Sequence, residues 1–230
     1  VASVPALAAG VNGSASVALT QFAALELELL PHPSFSGYEQ TPVGSLRQLD
    51  CSSAYQRAQL RVSARLSDSS SIVVTAQSAV VSLTPLVASV QSGSGQWLVV
   101  PQAAGNALIN ASFDAQSGTL SLPVADEAVR FTSVSLSLSG VSASSGNTFA
   151  AQVGTQRAAS VRLDFEGGTR FDNVAAVGWV TVGSFVRFES SDEGAINVTA
   201  ATGTYVLLAN AWGRATLSAR SVCDSTVVGT

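Results

Sequence analysis

Apolar residues recur at every second position along much of this chain and almost nowhere at the three-to-four spacing of a helix. Five runs carry the pattern: Leu25–Leu29, Leu60–Leu66, Val134–Leu138, Val161–Phe165 and Ala215–Ala219. In an extended backbone successive side chains point to opposite faces, so such a run has one face for a core and one for water. No window of a dozen residues combines apolar positions at i, i+3, i+4 and i+7 with helix caps. Clusters of Gly and Ser interrupt the runs at Ser92–Gly95, Gly105-Asn106, Ser117-Gly118, Ser144–Asn147, Gly167-Gly168 and Thr202-Gly203. That is the rhythm of short strands joined by tight turns. Sheets that are apolar on one face must bury it against another layer, so the expected architecture is an all-β sandwich.

Composition narrows what such a sandwich can do. Hydrophobic residues make up 47% of the 230, yet the longest apolar stretch, Val17 to Leu30, is broken by Thr20, Gln21, Glu26 and Glu28. A membrane span needs about 18 unbroken apolar residues, so no membrane insertion is expected of this segment and the apolar content belongs in a core. Only 11% of residues are charged, the net charge is −4, and all 11 basic residues are Arg, spread from Arg47 to Arg220. Nucleic-acid binding would need a basic cluster, and none exists. Lys and Met are absent, a bias expected of a GC-rich genome. Three acceptor sequons for N-glycosylation occur, at Asn12-Gly13-Ser14, Asn110-Ala111-Ser112 and Asn197-Val198-Thr199. With two Cys and a Ser/Thr-rich surface they point to an exported, extracellular or cell-surface protein. The chain starts at Val1 with no signal-peptide pattern, and the expectation is a segment from the middle of a longer protein.

Self-comparison reveals a repeat. Val4–Gly10 followed by Ala15–Leu19 resembles Val99–Gly105 followed by Ala107–Ala111, and both resemble Val206–Gly213 followed by Ala215–Ala219. Leu60–Asp68 mirrors Val161–Gly167, and Val87–Val90 mirrors Gly194–Val198. The shifts, about 92 and 108 residues, set a unit of about 100, the size of a small β-sandwich.

Within one unit the order is a strand Gln59–Asp68, a second strand Ser71–Thr75, the stretch Val81–Val90, a Gly turn, the Ala103-Ala104-Gly105 step and a hairpin Leu108–Leu122. This order resembles the bacterial Ig-like group 2 family, and Ser190–Ile196 repeats part of it in a second copy whose Trp179–Phe188 stretch is longer. The resemblance covers most of residues 43–222. It implies tandem immunoglobulin-like β-sandwich domains serving as spacers or adhesive modules in large surface proteins. On it, residues 1–35 are the terminal strands of a preceding repeat, 36–125 are repeat A, and 126–230 are repeat B, lacking its last strand. The Lys-free, Ala/Ser-rich composition with sequons is also similar to that of green-algal flagellar-hair, or mastigoneme, glycoproteins, which would imply a flagellar surface.

Catalytic chemistry finds little to use. The single histidine, His32, lies between Pro31 and Pro33, which favours an exposed linker over a catalytic triad. One His and two Cys cannot assemble a zinc site. Asp164 and Glu166 alternate on the wet face of one strand, so a glycosidase pair is not expected from them and Asp192-Glu193. For a junction calcium the candidates are Asp126 and Glu127, which lack the dense acidic spacing of an oxygen cage. The glycines at 93 and 95 are followed by no Lys and no helix, which excludes a phosphate loop. Trp97, Trp179, Trp212, Tyr205, Phe165, Phe185 and Phe188 could form a sugar platform, but their place inside strand-like runs favours core packing. No catalytic residue, cofactor or metal is assigned.

Given the immunoglobulin-like resemblance, Cys51 would follow the first strand of repeat A, at its bottom end. Cys223 would follow the sixth strand of repeat B, at its top. Bottom of A meets top of B, which suggests a Cys51–Cys223 disulfide across the junction; the alternative is that each pairs outside this segment. The expected function is a non-catalytic structural or adhesive rod of a surface filament glycoprotein, with partners in its own copies or other structural glycoproteins and glycan contacts. The alternatives are a glycan- or protein-binding module and an accessory domain of a secreted hydrolase.

Overall fold

A computed structural model describes residues 2–8, 11–17, 20–37, 40–138, 152–201, 204–213, 215–224 and 226–229. The Ser144–Asn147 cluster lies outside the described residues. Two strands open the chain, β1 (Ala2–Ala8) and β2 (Val11–Val17), paired antiparallel as a hairpin from Ala2↔Val17 to Ala8↔Val11.

Nine strands then build the first sandwich: β3 (Phe22–His32), β4 (Leu46–Leu49), β5 (Arg57–Leu66), β6 (Ser71–Val73), β7 (Ala79–Ser82), β8 (Ala88–Gly93), β9 (Gln96–Pro101), β10 (Gly105–Phe113) and β11 (Gln116–Val129). One sheet has the order β3-β5-β9-β8, with β6 paired to β5, and the other β4-β11-β10-β7. Alternation explains the faces: Ala58, Leu60, Val62 and Ala64 of β5 point inward and meet Ala107, Ile109 and Ala111 of β10 in one aliphatic core. Both hairpins close with two-residue turns, Ser94-Gly95 between Gly93 and Gln96, and Asp114-Ala115 between Phe113 and Gln116. All four turn residues have positive φ, the geometry whose twist matches paired strands. Gly118, which reads as a turn residue in the sequence, sits inside β11, where a Cβ would lie 2.8 Å from Leu27 Cδ1 and 3.1 Å from the Leu25 carbonyl. A glycine lets β3 cross β11 at that distance.

The second sandwich uses β12 (Phe131–Leu138), β13 (Gln156–Phe165), β14 (Arg170–Phe171), β15 (Val186–Ser190), β16 (Ile196–Ala201), β17 (Thr204–Ala209), β18 (Leu217–Ser221) and β19 (Val228–Gly229). Its sheets run β12-β13-β17-β16, with β14 on β13, and β15-β18-β19. The first, second, fifth and fourth main strands share one sheet and the third, sixth and seventh the other, as in the first sandwich, where β4 is an added strand lying parallel to β11. This is the immunoglobulin-like arrangement.

The structure corrects three expectations. Residues 22–32 do not close a preceding repeat: β3 pairs with β5 from Phe22↔Leu66 to His32↔Arg57, and Leu29 is in the first core. The equivalent first strand of the second sandwich is β12, which pairs with β13 through the same irregularity, between Phe131 and Ser133 as between Phe22 and Ala24. Gln21–Leu29 thus matches Arg130–Leu138, a repeat that the sequence comparison passed over. The 126–230 unit does contain a final strand, β19, which is only two residues long and pairs Val228 with Arg220. Finally, Val4–Leu19 does not behave like its sequence counterparts. Residues 99–111 and 206–219 cross between sheets, whereas β1 and β2 pair directly.

Candidate functional site

The two cores interlock where the chain passes from one sandwich to the other. β11 runs on almost unbroken into β12, with only Arg130 between them. Val124 of β11 lies in the first core and Val129 in the second; its parallel neighbour β4 divides the same way, with Leu46 in the first and Leu49, fully buried, in the second. The Asp50 N–H donates to the Val129 carbonyl at 3.1 Å. Alternation cannot continue through a point where the buried face changes, and the register slips there, between Ala125 and Ala128. The slip displaces Asp126 and Glu127 outward, where both are exposed. The Tyr55 hydroxyl donates to Asp126, and this bond is the main cause of a raised Tyr55 pKa.

Cys51 and Cys223 are bonded across this boundary, with α-carbons 5.5 Å apart and a sequence separation of 172. Cys51, at φ 66, stands in the turn after β4 and packs against the second core. Cys223 follows β18, and Ser221 Oγ accepts the backbone N–H groups of Cys223 and Asp224, fixing that turn. Asp50, Cys51 and Cys223 form the one close group of potential metal ligands among the described residues, and the disulfide consumes both sulfurs.

Side chains add a second layer of contact. Gln56 Nε2 donates to Thr169 Oγ1. The Arg57 guanidinium lies 4.3 Å over the Trp179 ring, and that of Arg170 lies 4.9 Å over Phe35, so each sandwich contributes one cation and one ring. Asp164 is half-buried; burial opposes its ionisation, but hydrogen bonds from Arg170, Ser133 and Arg162 outweigh that and hold its pKa below 3.8. His32, expected in an exposed linker, ends β3 half-buried beside Arg57. Burial and the Arg57 charge lower its pKa from 6.5. A cleft of about 270 Å3 opens along this seam, between the β3–β4 crossing and the turn at Gly167–Thr169.

The other sequence candidates lie away from the junction. Asn12 pairs with Leu7 in the first hairpin, its side chain outside the described part. Asn110 is half-buried on β10 and donates to Thr119 Oγ1, and Asn197 is exposed on β16. Of the aromatic residues weighed as a platform, Phe165, Phe185 and Tyr205 are buried, while Trp97, Trp179 and Phe188 pack partly against the cores. Trp212 is 85% exposed. What sequence reading missed are the junction pairs Arg57–Trp179 and Gln56–Thr169, because each joins residues more than a hundred positions apart with no pattern to connect them.

No protein-family model matches the chain, and no curated protein does. Among solved structures it is similar to a fragment of the surface-layer protein SbsC, domains 5–6, at 15% identity, covering 91% of this chain and 94% of that one, with a TM-score of 0.37. It is also similar to the same protein's domains 1–6, at 18% identity over 95% of this chain but spanning only 29% of that fragment, with a TM-score of 0.34. A chimeric titin Z1Z2 shows 12% identity over 91% and 94% of the two chains, with a TM-score of 0.32. The fold assignment stands on the strand order itself. No helix among the described residues is long and apolar enough to cross a membrane.

Proposed function

We propose that this segment is a non-catalytic, extracellular structural module: two consecutive immunoglobulin-like units, residues 20–125 and 126–229, locked into a short rod. The β1–β2 hairpin is read as the closing pair of strands of a preceding unit, since it is paired antiparallel, as β10–β11 is, and is the pair that precedes a first strand, as β10–β11 precedes β12. The observation that carries the reading is the cross-link. A bond from Cys51 to Cys223 encloses every strand from β5 to β18 in a loop of 172 residues. Tension on the chain passes from Cys51 to Cys223 through the bond, so nearly all of both sandwiches is shielded from extension. Such a limiter suits a load-bearing surface filament or adhesive stalk, and a disulfide persists outside the reducing cytosol. Its partners would be its own copies or other structural glycoproteins, with sugars carried at Asn110 and Asn197; a flagellar surface is supported by composition alone.

Single-molecule extension tests the reading. With the bond intact, pulling on the termini releases only β1 to β4 and the last few residues. Under reductant, or in Cys51→Ser, roughly 600 Å of further contour length appears, at about 3.5 Å per residue. Equal extension in both conditions overturns the proposal. A second reading, a glycan- or protein-binding module, is favoured by the exposure of Trp212; a glycan-array signal lost on Trp212→Ala would support it.

A further inference from the structure

Five of the eleven arginines in this acidic chain are neutralised by a carboxylate. Arg61, Arg65, Arg162, Arg170 and Arg220 each form an ion pair with a carboxylate. Arg47 and Arg57 form none among the described residues, although both are half-buried, and burial lowers the pKa of Arg57. A guanidinium withdrawn from water without a counter-ion is costly and is normally paired. Both border the junction cleft, together with Pro31, His32, Gly167 and Thr169.

Among the described residues, the acids next to the cleft are engaged elsewhere. Asp164 is engaged by Arg162, Arg170 and Ser133. Asp126 is held by Tyr55. Glu166 precedes the Gly167 turn and makes no ion pair among the described residues, and its backbone N–H donates to the Arg130 carbonyl. On the far wall the chain turns through Gly167 and Gly168, both at positive φ, and a Cβ at Gly167 would stand 3.4 Å from Arg47 Nη2. The turn therefore brings backbone, rather than side chain, up to the guanidinium. The Arg57 Cζ lies 4.3 Å from the centre of the Trp179 ring, and Arg57 also borders the cleft, where a guanidinium can offer the two-pronged donor geometry that matches oxyanions.

We infer that the junction cleft binds an anionic group borne on a sugar, a sulfate ester or a uronic carboxylate, with Arg47 and Arg57 as donors and His32 at the rim. A volume of about 270 Å3 accommodates one such sugar residue. Because its walls come from both sandwiches, the bound anion would also tie them together. The inference goes beyond the load-bearing role and does not depend on it: loss of anion binding would leave the extension result unchanged.

Calorimetric titration of the disulfide-intact protein tests it with three probes: inorganic sulfate, glucuronate and glucose. Sulfate and glucuronate should bind saturably at one site, and glucose should not. Arg47→Gln and Arg57→Ala should each weaken the anions tenfold or more, while Arg61→Gln, which pairs with Glu28 farther along the same strands and does not line the cleft, should leave them unchanged. Because Arg57→Ala also removes the contact with Trp179, its thermal unfolding is measured alongside, and Arg47→Gln, which touches no ring, carries the decision. Sulfate binding without glucuronate would identify a sulfate ester as the ligand, and the reverse a uronic acid. No saturable binding of either anion, equal binding of glucose, or an affinity unmoved by Arg47→Gln overturns the inference.

Discussion

The two sandwiches share a strand order and differ in what joins their second and third main strands. In the first, residues 67–78 make this connection, with β6 and one 3-10 turn, and leave Ile72 and Val73 more than half exposed. In the second, residues 166–185 make it, and they bury Phe171, Val174 and Phe185. Phe165 is the hub of the result, meeting Phe131, Phe171 and Phe185 edge-on at centroid distances of 5.4 to 5.7 Å. The first core is aliphatic throughout its fully buried set. One topology is thus completed in two ways, by close packing of small aliphatic side chains or by an added segment that brings its own rings. The added segment also carries Thr169 and Trp179 to the junction, so the feature that fills the second core also builds the contact with the first.

The difference can be broken experimentally, and the largest effect is expected at the link between the halves. Replacing Cys51 or Cys223 by Ser opens a 172-residue loop and should cost about 5 kcal/mol on the chain-entropy account. Calorimetry should then resolve two transitions in place of one, because the sandwiches no longer unfold as a unit. Next comes the aromatic hub. Phe165 and Leu66 end equivalent strands, as their registers with Phe131 and Phe22 show. Phe165→Ala should cost about 3–5 kcal/mol in denaturant unfolding, and Leu66→Ala, at a half-buried site, about 1 kcal/mol. Equal costs would mean that the two cores are not built differently.

Acid should separate the halves in a third way. His32, in the first sandwich, has a folded pKa below 6.5 through burial and the Arg57 charge. The unfolded chain therefore takes up a proton that the fold resists, and its contribution to stability is lost as pH falls from 6.5 through the folded value. Asp164, in the second, has a folded pKa below 3.8, so its contribution is intact above 3.8 and lost only as pH falls further. Unfolding of the Cys51→Ser protein followed against pH should show the first sandwich weakening in the upper window, and adding His32→Gln should abolish that step. The smallest effect belongs to the exposed connection. Ile72→Thr should change stability by less than about 0.5 kcal/mol, whereas Val174→Thr, in the equivalent connection but fully buried, should cost about 1–3 kcal/mol.

Much of this was legible in order but not in partnership. The runs Leu25–Leu29, Leu60–Leu66, Val134–Leu138 and Val161–Phe165 are strands, because alternation is a local property that each run satisfies by itself. The place of Leu25–Leu29 is not legible locally, since nothing within that run says whether it pairs backward with β2 or forward with Leu60–Ala64 of β5. Pro31 and Pro33 look like a terminus, yet they mark the point where the chain leaves one sheet for the other, with a cis bond between His32 and Pro33. The closing strand β19 leaves no mark in the sequence because two residues are too few to show a period.

By itself, then, the sequence determined the class of fold and the size of the unit. These follow from periodicity and spacing, which are properties of neighbours along the chain. Only the tertiary structure decided where one core stops and the next begins, that Leu49 crosses into the second, and that Arg47 and Arg57 border one cleft with no ion pair among the described residues. Burial and charge pairing are set by residues brought together from distant positions, and a local pattern carries no record of which positions those are.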